Sequence, residues 1–297
     1  MAQLLLIGAG DIAQHLVNDA LPFQKIYVLL RQRSFETQKE LTERKNFWRE
    51  KNTIPIVADL DDFKSLNKIK GLADTIVHMA APNPLFQTDS RTKHLLHTLS
   101  HKPPKTLIYL STTGVYGHHP HGFINENTPP SPLTERALRR LNAEKQCRFF
   151  AKKYTTKVCI LRVPALYSAT RLPLKRIQNK TPSLIKTQDV YTNHIHAGDL
   201  SRAILGAIRF GKKNRIYNIV DDSNMKLGDY LDLIADYYHL PRPERLPFKQ
   251  IEKHLNQAQI SFLKESRRIE CVRWQKELKT KIYYKNVQDF LKEPFPR

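Results

Sequence analysis

The stretch Leu4-Leu5-Leu6-Ile7-Gly8-Ala9-Gly10-Asp11-Ile12-Ala13 lies at the start of the chain, and it decides the fold. Its apolar run predicts a buried strand and the pattern after it predicts a helix, so G-x-G-x-x-A falls between the two elements. In that position Gly8 allows a tight turn, Gly10 lets a diphosphate approach the backbone, and Ala13 lets the helix pack on the strand. The helix start at Asp11 and Ile12, with its positive dipole end, would face the phosphates. The alternative is a glycine turn in another α/β fold.

The composition is that of a globular chain of 297 residues, 40% of them hydrophobic. This length suffices for one large domain or two smaller ones. No apolar run is long enough to span a bilayer, and the N-terminus lacks the basic start and cleavage pattern of a signal peptide. The cysteines Cys147, Cys159 and Cys271 are odd in number and widely spaced, which argues against disulfides or a zinc site. We therefore expect a cytoplasmic protein with no membrane span and no metal.

The net charge of +21 suggests a polyanionic partner, such as nucleic acid, an anionic membrane surface or a phosphorylated substrate. Lysine and arginine are spread along the whole chain, however, with no basic tail, RNA-recognition signature or zinc-finger spacing. This pattern favours a solvated basic surface and argues against nucleic acid as a partner. A basic cleft for an anionic, nucleotide-linked small-molecule substrate is the second interpretation.

The end of the second predicted strand bears on the choice of cofactor. This strand, Lys25–Leu30, ends in Arg31-Gln32-Arg33, where an acid would bind the ribose 2′-hydroxyl in an NAD-binding fold. Arginine can pair with a 2′-phosphate through its forked donors, so Arg31 favours NADP, with NAD as the alternative. Arg33 either shares this role or begins a solvated, charged loop.

The next two predicted strands also end in residues suited to ligand binding. The third, Ile54–Leu60, ends in Asp59-Leu60, and the Asp59 carboxylate could accept a hydrogen bond from adenine or cap the following helix. The fourth, Asp74–Pro82, runs into the small residues Ala80 and Ala81, which would let a flat ligand lie close to the backbone.

The middle of the chain continues the alternation of strands and helices. A fifth strand and its exit, Thr106–Gly117, contain a cluster of hydroxyls that either faces the same crevice or serves a turn. The loop 118–132 contains three close histidines without further ligands at metal spacing, so we expect a flexible surface loop there. A helix is predicted from Thr134 to Lys153 and a sixth strand with its exit over Val158–Tyr167.

These elements predict an α/β fold, a Rossmann-type doubly wound parallel sheet with a smaller C-terminal substrate lobe. We expect residues 1–165 to form the dinucleotide-binding domain, together with a return segment at about 190–221. Residues 166–297 would form the smaller, partly helical lobe, whose tail from Gln250 is basic and helical in pattern.

Six segments carry a resemblance to a known family. They are Gly8-x-Gly10-x-x-Ala13, Asp59-Leu60, His78-x-Ala80-Ala81, Ser111-Thr112-Thr113-Gly114-Val115-Tyr116-Gly117, Arg162-x-Pro164-x-x-Tyr167 and Asn193-His194-Ile195-His196-x-x-Asp199-Leu200. In this order the set resembles the extended short-chain dehydrogenase/reductase family, the nucleotide-sugar epimerase/dehydratase group. The resemblance runs from residue 2 to about 220. It implies a cofactor across the carboxyl ends of the strands, with Pro164 among its contacts, and a substrate hydrogen-bonded by the Thr112 hydroxyl.

The same resemblance implies a Tyr-x-x-x-Lys pair on the following helix, and this chain departs from it. Arg136 stands where the tyrosine would be and Arg140 where the lysine would be, so the chain is most similar to the atypical branch that lacks the pair. Arginine has no accessible neutral form, so Arg136 cannot shuttle a proton, whereas Arg140 can still donate hydrogen bonds to a ribose. Either Arg136 turns away from the cofactor or the site holds an anionic substrate.

Two functions that use the cofactor remain open at this point, beside the disfavoured third, nucleic-acid binding through the basic surface. One is an NADP-dependent oxidoreductase or epimerase/dehydratase-like enzyme, in which Thr112 orients the substrate and Tyr116, Tyr167 or a nearby histidine relays the proton. The other is a non-catalytic cofactor-binding sensor or scaffold module, which the missing tyrosine and lysine favour. The resemblance also implies that two copies can pair through helices beside the sheet, as a homodimer.

Overall fold

A computed structural model describes residues 2–19 and 23–293 of the chain. The strands in these residues are β1 Gln3–Ile7, β2 Lys25–Leu30, β3 Ile54–Val57, β4 Thr75–His78, β5 Thr106–Thr112, β6 Phe123–Ile124, β7 Lys157–Val163, β8 Ala165–Tyr167, β9 Ser183–Leu184, β10 Tyr191–Thr192, β11 His194–His196, β12 Arg215–Asn218, β13 Met225–Lys226, β14 Arg245–Leu246 and β15 Arg268–Ile269. The α-helices are α1 Asp11–Asp19, α2 Gln38–Glu50, α3 Ser90–Leu99, α4 Glu135–Tyr154, α5 Leu174–Gln178, α6 Ala197–Phe210, α7 Leu227–Tyr237, α8 Phe248–Ile251, α9 Gln257–Leu263, α10 Val272–Glu277 and α11 Val287–Leu291. Two further segments, Phe63–Ile69 and Thr113–Tyr116, are 3₁₀ helices.

Within the described residues, seven strands form one parallel sheet in the order β12-β7-β5-β4-β1-β2-β3. β1 lies between β2 and β4, and its Ile7 pairs with Leu29 on one side and His78 on the other. The chain builds outward from β1 to β3 and then crosses to the other side of β1 to begin β4. Such a change of direction opens a crevice at the carboxyl ends of the strands on either side of it.

Both faces of the sheet are buried, as the unbroken apolar run of β1 predicts. Because side chains alternate along a strand, Leu4 and Leu6 enter one core while Leu5 and Ile7 enter the other. Helices α1 and α6 pack into the first core, and α3 and α4 into the second. Every side chain from Leu4 to Ile7 is completely buried, so this strand anchors both layers. The predicted α/β, doubly wound Rossmann-type fold is confirmed.

Three segments differ from the sequence-based expectations. β3 ends at Val57, not Leu60, because Asp59 turns the chain by accepting the Asp61 amide on Oδ1 at 3.0 Å. The tail after Gln250 forms short helices separated by loops. The loop 118–132, expected to be a flexible surface loop, contains the short strand β6 and contacts residues after Glu265. The His119 amide donates to the Ser266 carbonyl at 2.7 Å, and β6 pairs in parallel with β15.

The short strands and helices that do not belong to the large sheet or to its covering helices lie mainly in residues 165–193 and 222–293, here called the outer lobe. One apolar cluster joins Leu172, Tyr230 and Ile234 to α11, and another joins Leu184 to Ile251. The division of the chain at residue 165 stays a prediction. None of the helices in the described residues is both long enough and apolar enough to cross a bilayer.

Candidate functional site

The turn between β1 and α1 has the geometry that its glycines predict. Gly8 has a φ of +114°, which side chains rarely adopt, and a Cβ there would lie 3.2 Å from the Ala80 amide nitrogen. A Cβ on Gly10 would meet no atom of the described residues within 4 Å, apart from those of its own local backbone. Gly8 is therefore required by the protein itself, whereas Gly10 keeps space open that the protein does not fill.

That space belongs to a cavity of about 350 Å³ at the carboxyl ends of β1, β5 and β7, here called the first cavity. Its size is in the range of small-molecule sites. The lining includes seven of the residues expected from the sequence: Gly8, Gly10, Asp11, Ile12, Thr112, Arg140 and Pro164. Met79, Ser111 and Arg171 also contribute. Residues far apart in the chain thus meet where the sequence analysis predicts a ligand.

Thr112 is placed to offer a hydroxyl to a ligand. It ends β5 and caps the 3₁₀ helix after it, since its Oγ1 accepts the Gly114 amide at 3.1 Å. This bond uses one lone pair of the oxygen and leaves the hydroxyl proton available. Its neighbour Ser111 differs, because the Ser111 hydroxyl donates to Glu144 Oε1 at 2.6 Å and that proton is already engaged.

Arg140 reaches into the first cavity from α4 and is held by oxygens of the sheet. Its Nη1 donates to the carbonyls of Ala80 and Leu110 at 3.2 and 2.9 Å and to the Tyr109 hydroxyl at 3.2 Å. Within the described residues its Nε and Nη2 make no hydrogen bond. The guanidinium is therefore fixed at one nitrogen, and the rest of its fork is available for a ligand.

Arg136 turns away from the first cavity. Its guanidinium carbon lies 3.7 Å from the centre of the Phe262 ring, in helix α9 of the outer lobe. Arg136 is absent from the lining of the cavity. Of the two alternatives drawn from the sequence, the structure therefore shows the first, and a cation–π contact with Phe262 accounts for it.

The structure does not bring Tyr116 or Tyr167 to the cavity, which corrects the expectation that either could relay a proton to the substrate. Both side chains are completely buried, and burial raises the pKa of each phenol. The Tyr116 hydroxyl donates to Asn218 Oδ1 at 2.8 Å. Tyr167 packs against His196, with ring centres 5.4 Å apart. A phenol enclosed by protein cannot contact a substrate, so these tyrosines are core residues.

The histidines near the site are also withdrawn from water, His194 fully and His196 in part. Burial lowers the pKa of His194 to about 3 and that of His196 to about 4, so both rings are neutral. His78 is likewise buried, with a pKa of about 3, and its Nε2 hydrogen-bonds the Thr92 hydroxyl at 2.8 Å. In the described part of the chain, no three His, Cys, Asp or Glu side chains are grouped to hold a metal ion.

A buried ion pair lies directly beneath the first cavity. Arg162 on β7 donates to both carboxylate oxygens of Glu144 on α4, at 3.0 and 2.7 Å, and both side chains are 2% exposed. The Tyr116 ring covers the guanidinium at 4.6 Å, and Ser111 donates to the same carboxylate. Arg162 thus serves the packing of β5, β7 and α4 through this network.

A second cavity of about 300 Å³ adjoins the first, and Gly8 lines both. It contains the other expected cofactor residues, which are Arg31, Asp59, Leu60, Ala80 and Ala81. Arg33, Arg44 and Arg91 also line it. The two cavities together extend along the carboxyl edge of the sheet from β7 to β3.

The arginines of the second cavity are of two kinds. Arg44 pairs with Glu36, and Arg91 donates from Nε to both oxygens of Asp61 at 3.0 Å. The Arg91 contact lowers the pKa of Asp61. Arg31 and Arg33, by contrast, are exposed and form no ion pair within the described residues. Carboxylates lie near both, since the charge of Arg31 helps to lower the pKa of Asp61 and that of Arg33 helps to lower the pKa of Glu36, but neither guanidinium is held in a direct ion pair with a described residue.

Sequence reasoning missed Arg44, Arg91, Arg171 and the Glu144–Arg162 pair. Arg171 lies 160 residues from its partner Asp11, and Arg44 approaches the second cavity only because α2 packs beside β3. Contacts of this kind depend on tertiary packing, so no local sequence pattern predicts them. Glu144 offers a weak signal, since a lone carboxylate on the apolar side of α4 requires a buried partner.

The fold and the two cavities define a Rossmann-type α/β protein with a ligand cleft at the switch point of its sheet. The glycine turn, Thr112 and Arg140 lie around one space, as in a nucleotide-dependent enzyme of this class. The chain belongs to the NAD dependent epimerase/dehydratase family, whose model matches residues 8–220. This confirms the resemblance stated from the six segments.

Individual relatives agree with this assignment. The chain is 24% identical over 241 residues to a dTDP-D-glucose 4,6-dehydratase of Homo sapiens, covering 74% of this chain and 69% of that protein. The solved structure of a dTDP-glucose 4,6-dehydratase from Bacillus anthracis in complex with NAD has a TM-score of 0.77 at 18% identity, covering 98% of this chain and 94% of that one. A UDP-glucose 4-epimerase from Thermotoga maritima, solved with UDP-glucose, has a TM-score of 0.76 at 18% identity and covers 98% and 96%. These two structural likenesses establish the fold.

Proposed function

We propose that the protein binds NADP(H) along the two cavities and acts as an oxidoreductase or epimerase-like enzyme on a nucleotide-linked or phosphorylated substrate. The observation that carries the choice of NADP is the unpaired Arg31 at the end of β2. Among the described residues, Asp59 is the single carboxylate in the second cavity's lining, and its Oδ1 is engaged by the Asp61 amide. A 2′-phosphate would therefore meet an Arg31 guanidinium that no ion pair engages in the described part of the chain, in a lining with more arginines than carboxylates, which favours the phosphate over a bare hydroxyl.

The residues present fit a dinucleotide. The open space over Gly10 would admit a diphosphate against the first amides of α1, where the helix dipole favours negative charge. Ala80 and Ala81 leave the backbone after β4 accessible to a flat ring or ribose. The free nitrogens of Arg140 would hold a ribose hydroxyl, as a lysine does in the Tyr-x-x-x-Lys pair. When bound, a nicotinamide supplies or accepts a hydride at a substrate carbon.

The chain's own groups suit a substrate that carries an oxygen at the reacting carbon. The free Thr112 proton would hydrogen-bond that oxygen and fix its position. The guanidinium of Arg140 would stabilise negative charge that develops there, because it is held rigidly by three oxygens before any ligand arrives. Relatives in the family are named for nucleotide-sugar substrates, which carry both a diphosphate and hydroxyls.

One observation favours a second candidate, a non-catalytic NADP(H)-binding sensor or scaffold. Within the described residues, neither a phenol nor an imidazole lines the first cavity. Its ionisable groups are Asp11, Arg140 and Arg171. A hydride-transfer enzyme needs a group to exchange the hydroxyl proton, and here Thr112 with solvent would have to do so.

The affinity of the protein for NADPH and NADH tests the cofactor proposal. We expect tighter binding of NADPH, and a loss of roughly 10- to 100-fold in NADPH affinity for Arg31→Asp, because a charged hydrogen bond contributes about 1.5–3 kcal/mol. Lys39→Asp, which makes the same charge change at an exposed position on α2, is the matched control and should keep wild-type affinity. Equal preference for the two cofactors in wild type and Arg31→Asp would contradict the proposal.

A screen of cofactor oxidation against carbonyl and nucleotide-sugar substrates separates the enzyme from the sensor. Turnover that falls at least tenfold in Thr112→Val, with unchanged NADPH affinity, is the result expected for an enzyme. Tight NADPH binding with no turnover across the panel would favour the sensor.

The expected homodimer has a suitable surface beside the sheet. Leu138 and Phe149 on α4 are 49% and 68% exposed, and Leu85 in the loop before α3 is 85% exposed. Large apolar side chains grouped on one side of a soluble protein often mark an interface. We propose that a second copy covers this surface, and light scattering of wild type and Phe149→Glu measures the assembly. A monomeric wild type at micromolar concentration would contradict this.

A further inference from the structure

Arg171 joins the outer lobe to the glycine turn. It lies in the turn that follows β8, where its amide donates to the Ser168 carbonyl at 2.9 Å. Its Nε donates to Asp11 Oδ2 at 2.6 Å, at the first residue of α1. Asp11 and Arg171 both line the first cavity, and their side chains are 27% and 40% exposed. The pair therefore crosses the cleft at the entrance to the turn where a diphosphate is expected.

The charges at this position present a conflict that Arg171 resolves. A diphosphate at the start of α1 would lie beside the Asp11 carboxylate, and two anions at one helix terminus repel each other. Arg171 neutralises Asp11 through Nε alone. Within the described residues, its Nη1 and Nη2 make no hydrogen bond. The guanidinium thus has a second, unused edge, which matches the two oxygens of a phosphoryl group.

Resting on the NADP(H)-binding function proposed above, we infer that Arg171 is a positioning residue for a phosphoryl group in the first cavity. Its Nε holds Asp11 and its Nη atoms bind the phosphate, so that the ligand completes a bridge between α1 and the outer lobe. The phosphoryl group belongs either to the dinucleotide diphosphate or to a phosphorylated substrate, and the two sources can be separated by measurement.

Calorimetric titration with NADP⁺ and with adenosine 2′-phosphate tests the first source. Adenosine 2′-phosphate carries the adenine, ribose and 2′-phosphate but no diphosphate. We expect Arg171→Ala to weaken NADP⁺ binding at least tenfold and to change adenosine 2′-phosphate binding by less than twofold. Arg171→Lys should lie between, because one ammonium cannot present two parallel donors while holding Asp11. Lys175→Ala, an exposed cation on the neighbouring α5, is the control and should match wild type.

The coupling between Asp11 and Arg171 gives a readout that a merely structural contact would not move. With Arg171→Ala the Asp11 carboxylate loses its arginine partner and keeps only the longer contact with His15 Nε2 at 3.6 Å among the described residues. Adding Asp11→Asn should therefore restore several-fold of the lost NADP⁺ affinity. If instead the double variant binds as weakly as Arg171→Ala, electrostatic compensation is refuted. Melting temperatures of the unliganded variants identify any that fail to fold.

Titration of UDP-glucose into the NADP⁺-saturated protein tests the second source. Loss of UDP-glucose affinity in Arg171→Ala, with NADP⁺ affinity intact, would assign the contact to the substrate phosphate. If neither affinity changes while Gly10→Ala still loses NADP⁺, the inference about Arg171 is overturned and the proposed function stands. A wild-type protein that binds neither NADP⁺ nor NADPH would overturn the proposed function itself.

Discussion

Replacing Gly10 by alanine tests the site most directly, because this position separates the needs of the ligand from the needs of the fold. An added Cβ at Gly10 would meet no atom of the described residues within 4 Å, apart from those of its own local backbone. The Gly10 carbonyl accepts the first helical hydrogen bond of α1, from the Gln14 amide at 3.3 Å. Alanine is a poorer residue than glycine at such a position, by roughly 0.5–1 kcal/mol. It also reduces the entropy of the unfolded chain, which offsets about 0.4–1 kcal/mol.

The stability of Gly10→Ala should therefore stay within about 1 kcal/mol of wild type. Binding should change much more. The methyl group would occupy the space through which a diphosphate reaches the amides of α1, and losing one such charged hydrogen bond costs about 1.5–3 kcal/mol. That corresponds to a loss of roughly 10- to 100-fold in NADPH affinity. Urea unfolding and calorimetric titration measure the two quantities on the same protein.

Gly122→Ala is the matched control. Gly122 also has open space around a Cβ, but its φ is +68° and it lies outside both cavities. Alanine there should cost about 1–2 kcal/mol in stability and leave NADPH affinity unchanged. The two variants thus have opposite patterns. A folded Gly10→Ala protein that binds NADPH as tightly as wild type would refute the placement of the diphosphate.

Other predictions concern the packing around the cleft. Glu144→Gln should lower the free energy of unfolding by about 3–5 kcal/mol, because it leaves the Arg162 charge buried without a carboxylate. Glu135→Gln on the same helix removes a carboxylate that is 85% exposed, and its partner Arg139 keeps a hydrogen bond to the Phe86 carbonyl, so it should cost at most about 1 kcal/mol in urea unfolding. Tyr116→Phe should lower the free energy of unfolding by about 1–3 kcal/mol, because Asn218 Oδ1 loses its hydrogen-bond donor. NADPH affinity should stay unchanged, and a large loss of affinity would show that Tyr116 contacts the ligand after all. Burial raises the pKa of Asp221 from the ordinary value of a free carboxyl to about 7, so the folded state keeps a proton that the unfolded state releases between about pH 4 and pH 7. The free energy of unfolding should therefore fall by up to roughly 4 kcal/mol as pH rises through this window. In thermal melts at different pH, Asp221→Asn should not show this loss of stability.

The sequence was most informative where a pattern repeats within a few residues. The apolar run before Gly8 predicted a strand buried on both faces, and Leu4 to Ile7 alternate between two cores as that requires. The glycine spacing predicted a turn, and the positive φ of Gly8 has the expected cause. Arg140 was expected at the cleft from the resemblance alone, and the sheet carbonyls hold it there.

Sequence reasoning failed where position depends on how distant segments pack. Tyr116 and Tyr167 follow strand ends, as cleft residues do, yet both rings turn into the core because α4, β11 and α11 leave apolar space beneath them. Arg136 occupies the position of a catalytic tyrosine, but Phe262 from the outer lobe determines where its guanidinium lies. The position of a residue in a helix determines where its side chain leaves the helix. It does not determine which residue of another segment that side chain contacts.

The two ion pairs beside the first cavity differ in their contact with water, and this difference has a consequence for its walls. Glu144–Arg162 is 2% exposed, where mobile ions cannot enter, while Asp11–Arg171 lines the cavity and is reached by solvent. Rising ionic strength should therefore weaken the Asp11–Arg171 pair and leave the Glu144–Arg162 pair intact. The rate at which a ligand enters and leaves this cavity should therefore depend on salt concentration, while the packing of β5, β7 and α4 beside it should not.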